Sequence, residues 1–396
     1  MSVRSVLVTV RLLLGDRGGA GRPGVVGLLR PLPRRGIVAG QHGDTGMAQS
    51  LANLTRFRGL PFRVLARLVL VAGQELQGLH GGGDAARPGV GVRLRPVVRD
   101  RAGEVVTRVR IPIADAGDDF GDQHGAGPIF GEVVELAASS CCGAGVVTEA
   151  EPDVALALNA RNFAQAESLG LDIMTICGTC QGVMAAANKR LKSDPGLLDR
   201  INRVLEPDGI AYCGTIQVKH LLWIIVREIG LRQLGTQVVK SLQGLRIAPF
   251  YGCYILRPSW DLGFDDPENP TSLEQVIRAL GGEAVAYAGR TKCCGFPIIL
   301  EKEAVAMAMS GANMKEAKDQ GADCMVTPCP LCHMSLDIYQ DRAGQAVNTQ
   351  LNLPILHLPQ LLGLAMGIPG KELGLARHLI PVDSIVRRIN QSVRHS

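Results

Sequence analysis

Four cysteine positions recur at a single offset. Subtracting 152 from Cys293, Cys294, Cys329 and Cys332 lands on Cys141, Cys142, Cys177 and Cys180. Each unit carries an adjacent pair in a Cys-Cys-Gly triplet and, 35 residues later, the start of a Cys-x-x-Cys. Adjacent thiols cannot both face one ordinary metal ion, but they can grip two irons of one cluster. A Cys-x-x-Cys that opens a helix turns its thiolates together, with backbone N–H groups lowering their pKa. Cys253 completes a five-thiol set in the second unit, since it too follows a strand pattern, "PFYGCYI". Its counterpart in the first unit is Arg101, and no cysteine precedes Cys141. The first set therefore has four thiols, enough for a [4Fe–4S] cluster or a tetrahedral zinc. Buried structural thiols with a single redox Cys-x-x-Cys remain the plain alternative.

Cys213 and Cys324 fall outside the repeat. Cys324 lies within an apolar strand pattern and reads as core. Cys213, in "YCGTIQVKH", reads as structural or as a spare thiol near the site. His220 and His333 are the histidines nearest the motifs. His333, directly after Cys332, reads equally as a residue tuning a cluster or as a solvent-facing helix position.

The elements that must position these thiols alternate. "EVVEL" reads as a strand leading to Cys141, and Thr148 with Glu151 as a capping box before the helix "PDVALALNARNFAQAESLG". "LDIMTI" is a buried strand before Cys177, with a helix after it. "TIQVKHLLWIIVREIGL" reads as one long apolar helix. "RIAPFYGCYI", "EAVAYAG", "ADCMVTP" and "LPILHL" are strands, separated by the helices "SLEQVIRALGG", Glu301 to Gln320 and "HMSLDIYQDRA". "PQLLGLAMG" closes the core and leaves a polar tail. Alternation of this kind predicts α/β architecture with largely parallel sheet, built as two tandem, internally repeated domains.

The first third is different. Residues 1–130 contain no Lys, Tyr, Trp or Cys, and 18 Arg against 10 acidic residues give them +8, where the whole chain sums to +5. Its basic residues are scattered without aromatic partners, which argues against nucleic acid. Gly-rich interruptions break every period, so the segment reads as irregular or disordered. "HLLWIIV" is closed off by Lys219 and Arg227, so no run is long enough to span a membrane. Arg11 splits the one signal-like stretch. The density of cysteine without an export signal predicts a cytoplasmic protein and metal or redox chemistry rather than disulfides.

"CCGAGVVTEAEPDVALALNARNFAQAE", "TICGTCQGV", "VKHLL", "FYGCYILRP", "KCCGFP", "TPCPLCHMSLD" and "LPILHLPQLLGLAMG" resemble the CCG-domain proteins, specifically the B subunit of heterodisulfide reductase, over about residues 131–380. The resemblance implies a noncubane [4Fe–4S] cluster on Cys253, Cys293, Cys294, Cys329 and Cys332, acting as the catalytic centre. A second [4Fe–4S] cluster or zinc falls to Cys141, Cys142, Cys177 and Cys180. It further implies an oxidoreductase reducing or forming a disulfide. Its partners would be a flavin-containing protein like the reductase's A subunit and a ferredoxin-like protein like its C subunit, and it would meet the membrane only peripherally, through its complex. A subunit on the quinone side of a succinate dehydrogenase or fumarate reductase-like complex is the runner-up. A zinc-stapled structural protein is the reading without redox chemistry. The domains expected are 131–240 and 241–396, the latter with a C-terminal tail. Residues 1–130 depart from the family: they are either a genuine extension beside a degenerate first site or an out-of-frame or misassigned start.

Overall fold

A computed structural model describes residues 130–136 and 138–392 and, before them, strands at 8–13, 98–99, 105–106 and 108–112. Arg101 lies outside the described residues, as does the rest of residues 1–129, on which the expectation of an irregular or disordered first third falls, apart from those four strands.

Two sheets carry the repeat. The first contains β1 (Val8–Leu13), β2 (Arg108–Pro112), β3 (Phe130–Glu135), β4 (Asp172–Thr175) and β5 (Val218–His220) in the order β2-β3-β1-β4-β5. The second contains β6 (Arg246–Pro249), β7 (Glu283–Ala284), β8 (Cys324–Thr327) and β9 (Ile355–His357) in the order β9-β8-β6-β7, every pair parallel. A parallel sheet is buried on both faces, and the strand residues show it. Met325, Ala248 and Ile355 face one core, while Cys324, Val326, Ile247 and Leu356 face the other. The first core is shared with the helices of the first unit; the second is closed by Leu273, Ile277 and the C-terminal segment. Leu273 is fully buried, so Leu273→Ala is expected to lower the unfolding free energy by about 3 kcal/mol, read from urea denaturation.

The offset of 152 holds in three dimensions. β4 and β8 start at Asp172 and Cys324, and the helices after them start at Gly178 and Pro330. The preceding helices, Pro152–Ser168 and Glu303–Asp319, have 17 residues each and are offset by 151. One slot breaks the match. In the second sheet the strand between β7 and β8 is β6, parallel to β8 and leading to Cys253. In the first sheet the strand between β3 and β4 is β1, antiparallel to both.

Three local expectations are corrected. "TIQVKHLLWIIVREIGL" is not one helix. Val218–His220 pairs in parallel with β4, and only Leu221–Ile229 coils, its last six residues as a π-helix. The Thr148–Glu151 capping box does not form: Thr148 lies inside the short helix Val146–Ala150, and Glu151 makes no side-chain cap. The C-terminal residues are no loose polar tail either, because the helix Asp383–Ser392 buries Ile385 and Ile389 against the second core. No helix among the described residues is long and apolar enough to cross a membrane.

Candidate metal centre

Each Cys-Cys-Gly triplet ends a loop, and its glycine turns the chain toward the next helix at positive φ, 90° at Gly143 and 80° at Gly295. A Cβ on Gly295 would lie 2.7 Å from Ala306 Cα, so only glycine allows this approach. The turn aims backbone amides at sulfur. Gly143 N donates to Cys141 Sγ at 3.4 Å, Ala144 N to Cys142 Sγ at 3.4 Å and Gly295 N to Cys293 Sγ at 3.3 Å. Side chains from the preceding helices hold the loop carbonyls: Asn162 and Asn159 bond Ser140 O and Cys142 O, while Asn313 and Ser310 bond Cys293 O and Cys294 O.

The first cysteine of each Cys-x-x-Cys caps its helix in the same backbone conformation: φ −127°, ψ 119° at Cys177 and φ −130°, ψ 119° at Cys329. Cys180 N donates to Cys177 Sγ at 3.5 Å. That places both pairs at the carboxyl ends of β4 and β8, where α/β sheets bind ligands.

All nine cysteines of the two sets meet. In the second set Cys253 contacts Cys293, Cys293 contacts Cys294, Cys294 contacts Cys332 and Cys332 contacts Cys329. Cys329 Sγ lies 3.7 Å from Cys177 Sγ, which joins the sets. Cys177 then contacts Cys180, Cys142 Sγ lies 3.3 Å from Cys180 Sγ, and Cys141 ends the line. Cys141 is exposed and Cys142 buried. Gly252, at φ 72°, brings the backbone against the second set, with a Cβ there only 2.8 Å from Cys332 Sγ.

The thiols cannot all ionise by their own means. Donation from Cys253 and then Cys294 pulls Cys293 down to about 3, and this holds Cys253 up and pushes Cys294 to about 12. Cys329 is lowered by Cys177 and Cys332, and Cys142 by Cys141 and Cys180. Cys332 and Cys180 are correspondingly raised, first by Cys294 and Cys142. Three thiolates thus stand among neighbours that keep their protons because like charges repel at this range. Converting the rest to thiolates requires cations in their midst, which is the property of a metal-binding donor set. Five soft donors fit the second set to an iron–sulfur cluster, and four fit the first to a cluster or tetrahedral zinc.

A narrow cleft of about 20 Å³ opens between the units, lined by Gly178 and Thr179 of the first and by Cys253, Cys294, Cys329 and Cys332 of the second. Thr179 Oγ1 lies 3.5 Å from Cys329 Sγ, crossing from one unit to the other. The two leftover cysteines stand apart in kind. Cys324 is fully buried in β8, and its thiol is pushed up to about 12 by burial. Cys213 is exposed beside Glu167, whose carboxylate accepts its amide at 2.7 Å.

The histidines make a second repeat that the sequence reading missed. His220 Nε2 lies 3.0 Å from Pro328 O, and His357 Nε2 lies 3.0 Å from Ile176 O. Each carbonyl immediately precedes the first cysteine of the other unit's Cys-x-x-Cys. Since a carbonyl only accepts, both Nε2 atoms carry the proton. Both histidines end a strand, opposite Thr175 and Thr327. His333 is not a free solvent-facing residue: its ring meets His378 edge-on at 4.8 Å, and Nε2 lies 3.2 Å from Ile355 O.

A family model described as a cysteine-rich domain, CCG, matches residues 129–185 and 247–337. Over 254 residues the chain is 42% identical to the 8-methylmenaquinol:fumarate reductase membrane anchor subunit of Wolinella succinogenes, covering 64% of this chain and 88% of that one. It is 33% identical to the B subunit of the ferredoxin/F(420)H(2)-dependent CoB-CoM heterodisulfide reductase of Methanosarcina acetivorans, over 63% of this chain and 84% of that protein. A protein of Archaeoglobus profundus, described as like the heterodisulfide reductase B subunit, is 32% identical over 66% of this chain and 89% of its own length.

Proposed function

Because the chain belongs to the cysteine-rich CCG domain family, together with the B subunits of heterodisulfide reductase, we propose that it is the iron–sulfur electron-transfer subunit of a multisubunit oxidoreductase. Cys253, Cys293, Cys294, Cys329 and Cys332 hold a noncubane [4Fe–4S] cluster. Cys141, Cys142, Cys177 and Cys180 hold a second [4Fe–4S] cluster or a zinc ion. Residues 131–240 and 241–396 form the two CCG domains. The observation that carries this reading is the unbroken line of nine sulfurs joined by the 3.7 Å approach of Cys177 to Cys329.

Bound there, an iron–sulfur cluster supplies single electrons and iron sites with affinity for sulfur. The chain's own residues supply the rest. The narrow cleft beside the second donor set is where a disulfide or related sulfur substrate would meet the cluster, and Thr179 of the first unit lines it. Electrons exchange with two partners, a flavin-containing protein of the A-subunit type and a ferredoxin-like protein of the C-subunit type, in a complex that touches the membrane only peripherally.

The 42% identity to a fumarate reductase subunit favours a second reading, the CCG subunit of a quinol:fumarate reductase-like complex. Assay of the assembled complex separates the two. Reoxidation of reduced viologen by a disulfide supports the first, and by fumarate the second. Metal analysis tests what they share. Anaerobically purified chain is expected to hold about four iron and four sulfide on the second set, with about four more of each, or one zinc, on the first. Zinc without iron overturns the redox reading.

A further inference from the structure

A buried acid stands behind the second donor set. Glu274, in the helix Ser272–Ala279, is 9% exposed and lies against the two loops that carry Cys253 and Cys293. Tyr251, buried two residues before Cys253, donates its hydroxyl proton to Glu274 Oε2 and accepts Leu273 N at 2.8 Å. Arg290, three residues before Cys293, sets its Nε 3.3 Å from Glu274 Oε1. The two loops are also joined directly. Tyr251 N donates to Arg290 O at 2.8 Å, and Arg257 Nη1 to Thr291 O at 3.0 Å.

Glutamine would tie the loops without the cost of burying a charge. The charge here is also poorly compensated. Among the described residues Arg290 is the cation facing Glu274, and its buried Nε makes no hydrogen bond. Its other nitrogens are engaged elsewhere, Nη2 by Asn269 Oδ1 at 2.7 Å and Nη1 by Tyr287 O at 3.4 Å. The remaining titratable groups facing Glu274 are Tyr251, Tyr287 and Asp265, and the Asp265 carboxylate repels it. Burial raises the Glu274 carboxyl above the ordinary 4.5, against the pull of Tyr251 and Arg290. Its side chain keeps 12% of its surface, enough to exchange a proton with solvent.

An electron added to the second centre increases the negative charge beside this carboxylate. One unit charge about 10 Å away, in an effective dielectric of about 20, moves a pKa by about one unit. The coupling is reciprocal, so a proton on the carboxyl favours the electron by the same factor. We propose that Glu274 takes up one proton from solvent as the second centre accepts one electron from a donor of the ferredoxin kind, and releases it when the electron leaves. The carboxylate becomes a neutral carboxylic acid, no bond to the centre forms or breaks, and the net charge behind the cleft stays constant. The proposal rests on the iron–sulfur reading above.

The test is an anaerobic titration of the iron-loaded chain with dithionite, followed by the paramagnetic signal of the second centre at pH values from about 5.5 to about 9. The unaltered protein is expected to become harder to reduce as pH rises. Its reduction equilibrium should move about ten-fold between the two limits, or about 59 mV for one electron. Glu274→Gln keeps an acceptor for Tyr251 and cannot titrate. It is expected to hold its iron and to stay near the acid-limit potential at every pH. A merely structural role would shift the potential without removing its pH dependence. A flat profile in the unaltered protein overturns the proposal, as does an unchanged slope in Glu274→Gln. Should Glu274→Gln not fold, Glu274→Asp, still ionisable but one methylene shorter, must move the step along the pH axis, and a step that stays in place overturns the proposal. Iron present with a pH-independent potential sinks this proposal alone; a chain that takes up no iron sinks the cluster reading and this proposal with it.

Discussion

Cys294→Ser is expected to empty the second centre, cutting its iron more than about ten-fold and abolishing its paramagnetic signal. Cys294 sits in the middle of the second set's five sulfurs, buried, between Cys293 and Cys332. A serine hydroxyl there is a hard donor that does not ionise at neutral pH, so it does not bond iron as thiolate does. The first set, with its own four thiols, should keep its metal. Cys324→Ser is the matched control, being equally buried but facing the opposite core with Val326. It leaves a hydroxyl in an apolar site and costs about 1–3 kcal/mol of stability, with iron content unchanged. Equal iron loss in both variants would mean that Cys294 acts through folding, and the five-thiol assignment would fail. Electron paramagnetic resonance and iron analysis of the two proteins side by side make the distinction.

The cysteine sets were legible because their spacing is rigid. The steps from strand to Cys-x-x-Cys are identical in both units, so a constant offset of 152 survives in the sequence. The helices Pro152–Ser168 and Glu303–Asp319 were legible for the related reason that both fill the same place against their sheets. The histidine repeat was not legible, because the spacing changes. His220 follows Cys180 by 40 residues, whereas His357 follows Cys332 by 25. The strand ending at His220 was hidden as well. Three residues inside a long apolar run carry no period of their own, and pairing of Ile173 with Val218 decides their conformation from 45 residues away. The C-terminal helix was misread on composition: Ile385 and Ile389, one turn apart, outweigh the polar residues around them once a core is present to receive them.

Acidification is expected to weaken the joint between the units. Burial lowers His220 and His357 from the ordinary 6.5 to about 4. Both therefore stay neutral in the fold at pH values where the unfolded chain is already protonated. Because the folded values lie below the unfolded one, the contribution is fully present above about pH 6.5 and is lost as pH falls toward 4. By pH 5 each histidine should cost about 2 kcal/mol, about 4 kcal/mol together. The geometry supplies the cause at His220. Nδ1 accepts Leu222 N at 3.0 Å while Nε2–H serves Pro328 O, so a second proton sets N–H against N–H in a buried site. Glutamine keeps the donor to the carbonyl and does not titrate. His220→Gln/His357→Gln should accordingly lose much less stability between pH 7 and pH 5 than the unaltered chain, measured by urea denaturation at both values. Identical pH dependence in the two proteins would show that other groups govern the acid limb. The two carbonyls directly precede Cys177 and Cys329, whose sulfurs make the 3.7 Å approach between the sets. Loss of these two bonds therefore acts on the distance between the donor sets.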